Sequence, residues 1–195
     1  MNADRKVGIA SFNGRTFRTS NGNHTRGTKM KCTTATQLGT SKKRQIVLID
    51  IENIVESARD ANTYDFADVF GRVAAAVDLQ RTDHVVVSAN PALVTGLFAM
   101  HDLWPSAQIR PRHGRDGADL ALLDSVRDTH QVARSYDRAV IASGDGCFTP
   151  LAIDLRTVGV ATVVVARPES TSIELRSESS EYIPLGSHVE WAVAS

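Results

Sequence analysis

The sequence predicts an α/β fold, a mainly parallel sheet with helices on both of its faces. Three observations predict it. The segments Gln45–Asp50, His84–Ser88, Arg138–Ala142 and Ala161–Ala166 are uninterrupted apolar runs rich in β-branched residues. Strands read this way when both of their faces are buried, whereas a half-exposed strand alternates. Segments of helical length and periodicity lie between those runs, so strand and helix alternate along the chain, as crossovers between parallel strands require.

The elements follow in order from residue 45. Gln45–Asp50 is the first strand. Asp65 then opens a helix whose one face carries Phe66, Val69, Phe70, Val73 and Val77, with Asp68 three residues on completing a capping-box pattern. His84–Ser88 is the second strand. Asn90 as cap and Pro91 at the first helical position start a helix that runs to about Asp102. Gln108–Pro111 reads as a short strand, Asp116–Thr129 as a helix and Arg138–Ala142 as a strand. A helix over Phe148–Val158 is stopped by Gly159. Ala161–Ala166 is a strand, Ser172–Ser179 a short helix, and Tyr182–Leu185 a last strand.

Charge is unevenly placed. Residues 1–44 hold ten Lys or Arg against one acid, Asp4, while the remainder holds twelve against twenty-one. A formal net charge of zero thus conceals two opposed halves. Residues 1–44, rich in Gly, Ser, Thr and Asn, offer too little apolar surface to offset their ordering entropy, and are expected to form a disordered basic tail. Such a tail is either an arm that attracts nucleic acid or an unselected extension, the second weighing slightly more. Residues 45–186 are expected to be the folded domain and 187–195 a C-terminal tail. The two cysteines, Cys32 and Cys147, argue against a disulfide framework, and no Cys/His pair has zinc spacing. No apolar stretch approaches the roughly 18 residues of a membrane span. The expectation is a soluble protein of the cytoplasm.

Three aspartates carry the chemistry. Asp50 ends the first strand, Asp119 sits in the first turn of a helix, and Asp145 follows a strand inside Ser143-Gly144-Asp145-Gly146. In a parallel sheet the carboxyl ends of strands line the ligand crevice. Carboxylates gathered there repel one another unless a divalent cation lies between them. Each motif also has an ordinary structural reading. Asp50 and Asp145 could be helix caps, Asn53 a solvated amide, and the Ser143–Gly146 segment a tight turn rather than a phosphate cradle. Asp124, five residues beyond Asp119, is off its helical stripe and so supports the site indirectly at best. The loop Arg110-Pro111-Arg112-His113-Gly114-Arg115 either holds a substrate backbone through Arg112 and Arg115 or neutralises nearby acids. His101, His113 and His130 have no Ser or Cys partner at a spacing that supports nucleophilic catalysis, and Cys147 is most simply a small buried hydrophobe.

Three stretches resemble the NYN domain, a branch of the PIN-like nucleases. They are Ile46-Val47-Leu48-Ile49-Asp50-Ile51-Glu52-Asn53, Asp116-Gly117-Ala118-Asp119-Leu120-Ala121-Leu122-Leu123-Asp124 and Val140-Ile141-Ala142-Ser143-Gly144-Asp145-Gly146-Cys147-Phe148, with Ser170-Thr171-Ser172 and Leu175-Arg176 similar to the family's last run. The resemblance implies a Rossmann-like three-layer α/β/α sandwich. It also implies an RNA-cleaving nuclease that uses Mg²⁺ or Mn²⁺, with Asp50, Asp119 and Asp145 at the acidic positions and Asn53 at the Asn after the first Asp. Two positions depart from the family pattern. Cys147 stands where many members carry a second Asp, and Ser180 with Glu181 replaces an Asp before the final aromatic. Losing one ligand leaves a one-metal site, or a domain that binds RNA without cutting it.

The expected function is a metal-dependent endoribonuclease. Asp50, Asp119 and Asp145 would hold the ion or ions, Asn53 and Ser143 would orient a ligand or phosphate oxygen, and Arg112 and Arg115 would guide the strand. RNA, single-stranded or structured, is the expected partner, with a second copy of the chain allowed and no membrane. The alternative is a non-catalytic RNA-binding or adaptor module. A Rossmann-like phosphatase or nucleotide-binding domain is disfavoured, since no second Asp stands two residues after Asp50 and no Gly-x-Gly-x-x-Gly follows a strand.

Overall fold

A computed structural model of the chain describes residues 44–186. The tails expected over 1–44 (all but Arg44) and 187–195 lie outside the described residues. The order of elements is β1 (Gln45–Asp50), α1 (Ile51–Ile54), α2 (Thr63–Ala76), β2 (His84–Ser88), α3 (Val94–Leu103), β3 (Gln108–Ile109), α4 (Gly117–Ser125), α5 (Thr129–Ser135), β4 (Arg138–Ala142), α6 (Thr149–Thr157), β5 (Ala161–Ala166), α7 (Ile173–Glu178) and β6 (Glu181–Pro184). Single 3₁₀ turns precede α3 at Pro91–Leu93, α6 at Gly146–Phe148 and α7 at Pro168–Ser170.

Six parallel strands make one sheet in the order β3-β2-β1-β4-β5-β6. Both faces are covered. Val47 and Ile49 of β1 point into a core completed by Phe66, Val69, Phe70 and Val73 of α2, while Ile46 and Leu48 point into one completed by Leu122, Leu151, Leu155 and Leu175. The uninterrupted apolar runs therefore exist because successive side chains of each strand enter opposite cores, each burial stabilising by roughly 1.5–3 kcal/mol. This is the Rossmann-like α/β/α sandwich, and among the described residues no helix is long and apolar enough to cross a membrane.

The chain starts at the centre of the sheet, builds outward through β2 and β3, then returns to place β4, β5 and β6 on the other side. The strand order reverses between β1 and β4, so the adjoining loops diverge there and leave a crevice at the carboxyl ends. The register pairs Ile49 with Ala142, which sets the next residues, Asp50 and Ser143, side by side at that reversal.

Several boundaries differ from the sequence expectation. Asn62, not Asp65, caps α2: its Oδ1 accepts from Tyr64 N–H at 2.8 Å, and Asp65 closes the capping box by accepting from Asn62 N–H at 2.8 Å. Asp65 is thus the third helical residue of a cap worth about 1 kcal/mol, and Asp68 pairs with Arg72 instead. The helix expected over Asp116–Thr129 ends at Ser125, and a separate α5 begins behind Asp128, which accepts from Gln131 N–H at 2.9 Å. The strand expected over Gln108–Pro111 is two residues long. Gly159 does end α6: at φ +81° it lets Val160 N–H reach Leu155 C=O and its own N–H reach Arg156 C=O, the paired bonds of a Schellman turn.

Candidate metal centre

Asp50 is the last residue of β1 and is only 3 % exposed. α1 begins directly after it, yet the Asp50 side chain makes no capping bond to that helix. Its Oδ2 accepts from the Ser143 hydroxyl at 3.1 Å, while Oδ1 is sealed from solvent with no donor on it among the described residues. A buried carboxylate with an unserved oxygen is costly. Burial, then the neighbouring Asp119 carboxylate, push its pKa up to about 7, against the weaker opposing pull of the Ser143 bond.

The loop after β4 is held rigidly beside it. The Ser143 hydroxyl that donates to Asp50 also accepts from Asp145 N–H at 3.2 Å, and Asn53 Oδ1 accepts from Gly144 N–H at 2.7 Å. Gly144 C=O accepts from Ser172 N–H at 2.8 Å. A Cβ on Gly144 would lie 2.5 Å from Ser170 O and 2.9 Å from Thr171 Cα, so only glycine permits this approach. Ser143 and Asn53 therefore hold protein groups with these atoms, where the sequence suggested contact with a ligand. They tie β1, α1 and the β4 loop into one frame. Asp145 opens the 3₁₀ turn, its Oδ1 accepting from Cys147 N–H at 2.8 Å, so the capping role allowed for it is realised by that oxygen.

Asp119 arrives from α4. Asp116 precedes that helix in the left-handed region, φ +55°, and Gly117 follows with its Cα so close to Arg112 that a Cβ would sit 2.5 Å from Arg112 O. This tight entry turns the third helical residue, Asp119, toward the reversal point. Burial, then the Asp145 carboxylate, raise its pKa. The Cys147 side chain belongs to the same group: its Sγ and one carboxylate oxygen each from Asp119 and Asp145 all lie within 4.8 Å of one another. Cys147 is exposed, which corrects the expectation of a small buried hydrophobe. It is Phe148, the next residue, that is buried, and the turn that buries Phe148 leaves Cys147 exposed beside Asp119 and Asp145. Although the residue is exposed, partial desolvation of its sulfur, then the Asp119 and Asp145 charges, push its thiol well above the usual range.

Asp50, Glu52, Asn53, Asp116, Asp119 and Asp145 line a polar cleft of about 210 Å³. Larger hollows exist, such as one of about 490 Å³ by Thr149 and Ile153, but they do not contain the converging carboxylates.

A family model described as the NYN domain matches residues 44–186. The chain belongs to the NYN domain family. That family is part of the PIN-like nuclease superfamily, which ties this fold to nuclease and RNA-related roles. No curated protein matches the sequence. Among solved structures, a protein of unknown function from Vibrio parahaemolyticus is similar, with a TM-score of 0.53 and 18 % identity over 76 % of this chain and 96 % of that one. At that identity the likeness shows the fold alone.

Within this NYN domain the remaining expected residues separate. Arg112 pairs with Asp124 at 3.1 Å, and Arg127 holds the other Asp124 oxygen at 2.8 Å, so Asp124 belongs to a solvated ion-pair group that does not line the cleft. Its hydrogen bond from Arg127 lowers its pKa. Arg115 is 95 % exposed and pairs loosely with Asp116, at 3.7 Å. Glu52, which the sequence reading passed over, stands on the cleft wall and accepts from Asn90 N–H at 2.6 Å, bracing α1 against the loop after β2. Its position two residues past the strand-ending Asp50 was the available signal. Oxygen donors predominate, one of them buried and unserved, so the residues present fit a divalent cation.

Proposed function

We propose that this NYN domain is a metal-dependent endoribonuclease that hydrolyses RNA phosphodiester bonds, with Asp50, Asp119 and Asp145 holding Mg²⁺ or Mn²⁺. The observation that carries this reading is the sealed, donorless Asp50 Oδ1 beside the Asp119 carboxylate at the reversal of the sheet. Such an arrangement costs stability without a cation and gains from one. When bound, the ion supplies positive charge against the scissile phosphate and acidifies water near it.

The protein's own groups do the rest. Ser143 fixes Asp50 and the Asp145 backbone in one hydrogen-bond chain, and Asn53 fixes Gly144, so the backbone frame of the site would need no rearrangement to receive the ion. Arg115, exposed and only loosely paired with the cleft residue Asp116, offers a guanidinium to the RNA phosphates, and Arg112 can exchange Asp124 for a phosphate. The proposed setting is the cytoplasm, and the proposed partner is RNA, single-stranded or structured.

Labelled RNA incubated with the full chain and Mn²⁺ tests this. Asp119→Asn and Asp145→Asn are each expected to slow cleavage on the order of 10²–10³-fold. Cutting that either variant leaves undiminished would remove that residue from the reaction. One observation favours a second reading: Cys147 stands where the family resemblance expects another Asp. A non-catalytic RNA-binding module would retain RNA with a steep salt dependence and yield no products.

A further inference from the structure

The departure at Cys147 carries information of its own. Its Sγ lies within 4.8 Å of oxygens from both Asp119 and Asp145, and its backbone is pinned to Asp145 by the 2.8 Å bond from its N–H. Asp50 supplies the second, independent observation: a side chain that is 3 % exposed, lining the same cleft, with an oxygen no donor serves among the described residues. Three potential ligand atoms therefore converge, two oxygens and one sulfur, and Asp50 lines the cleft beside the two acids that supply the oxygens. Ligands of a tetrahedral zinc-class ion stand about 3.5 Å apart, so the trio must close by about 1 Å, within the reach of side-chain rotation.

Sulfur changes what the cleft selects. Magnesium takes oxygen ligands and avoids thiolate, while a thiolate strongly favours zinc, cobalt or cadmium. We propose that Cys147 is an inner-sphere sulfur ligand that turns the Asp50–Asp119–Asp145 cleft into a mixed oxygen–sulfur site selective for zinc-class cations over Mg²⁺. Its Sγ–H proton passes to solvent as the metal–sulfur bond forms. Zinc then competes with Mg²⁺ or Mn²⁺ for the same carboxylates, which makes the cleft responsive to the zinc level. This rests on the reading that the cleft holds a cation, but not on the cleavage of RNA.

The test is a Co²⁺ titration of the full chain, carrying Cys32→Ser so that Cys147 is the only thiol. A near-ultraviolet sulfur-to-cobalt charge-transfer band is expected to grow to one equivalent, to vanish when Zn²⁺ is added, and to survive a large excess of Mg²⁺. In Cys147→Ser the band should be absent, and Zn²⁺ affinity should fall by at least about 10–100-fold, the loss that follows removal of even an outer-sphere partner. Cys147→Asp should instead shift preference toward Mg²⁺ and Mn²⁺, an effect that a merely structural cysteine would not produce. No band, or a band unchanged in Cys147→Ser, overturns thiolate ligation. The two readings fail separately: Mn²⁺-dependent RNA cleavage without the band removes the sulfur ligand and leaves the nuclease, while the band without cleavage under any cation does the reverse.

Discussion

The two ends of the sheet treat a buried aspartate in opposite ways. At the amino end Asp83, 8 % exposed, has one oxygen that accepts from Gln45 Nε2 at 2.8 Å and from Gln80 N–H at 2.7 Å. At the carboxyl end Asp50, 3 % exposed, has one hydroxyl on Oδ2, no conventional donor on Oδ1, and another acid, Asp119, as its remaining side-chain partner. Burial alone does not separate them. The difference is what each is given to face, and it teaches that Asp83 completes the fold while Asp50 leaves it incomplete. A group built in at a cost to stability, at the point where the strand order reverses, is the mark of a site.

The largest test of this contrast is pH. Burial and Asp119 hold Asp50 at about 7, against about 3.8 for an ordinary aspartate. The folded state thus binds this proton more tightly than the unfolded chain does. The stability it contributes is fully present below about pH 4 and is lost as pH rises through about 7, on the order of 4 kcal/mol. Thermal melts of the cation-free protein should show Tm falling over that window relative to Asp50→Asn, whose amide has no charge to bury. Mn²⁺ should restore Tm near pH 7 in the parent and not in the variant. Parallel pH profiles for the two proteins would remove the repulsion at Asp50.

Next in size is the frame that imposes the strain. Gly144→Ala would drive a methyl against Ser170 O and Thr171 Cα, both backbone and neither able to swing aside. A cost of about 1–3 kcal/mol is expected in denaturant unfolding. Cleavage and cation binding should weaken beyond what that loss explains, because Asp145 is carried on the same loop. If stability fell and cation affinity stayed at the parent value, the loop would be structural and the site independent of it.

What was legible beforehand follows the same division. The continuous runs of β1 and β4 need only local composition to be read, and the strand-end positions of Asp50 and Asp145 come with them. α5 was missed because Val132 is its one buried residue, so no periodic stripe announces it. α4 was overextended because Val126 keeps the apolar period past the point where the chain turns. Asn62 was missed as a cap because Asp65 and Asp68 offer a competing pattern three residues later. At the site, the roles of Ser143 and Asn53 depend on β1 and β4 being neighbours, and Cys147 lies beside Asp119 only because α4 delivers that acid from nearly thirty residues away. Contacts across such separations leave no mark on a local pattern.

The amino end supplies the smaller effects. Asp83→Ala would strip an acceptor from Gln45 Nε2 and Gln80 N–H, costing about 1–3 kcal/mol without altering the response to Mn²⁺. This is the reverse of Asp50→Asn, which should stabilise near neutral pH and abolish that response. A pair of equilibrium unfolding curves, with and without Mn²⁺, measures both. An Asp83→Ala protein as stable as the parent would mean that this end is not held together by its hydrogen bonds.

Smallest of all should be Arg138→Gln. Arg138 opens β4 and reaches Glu181 at the start of β6 at 3.6 Å, with Glu181 more than half exposed. Water solvates both partners in the unfolded chain and screens them in the folded one, so the pair contributes no more than about 0.5 kcal/mol. Glutamine keeps part of the arginine's methylene stem, so the change is chiefly one of charge. Denaturant midpoints should therefore nearly coincide, and Mn²⁺ binding should be unchanged. A loss above about 1 kcal/mol, or a shift in cation affinity, would show that charge at the amino end reaches across the sheet, and the two ends could no longer be treated as separate.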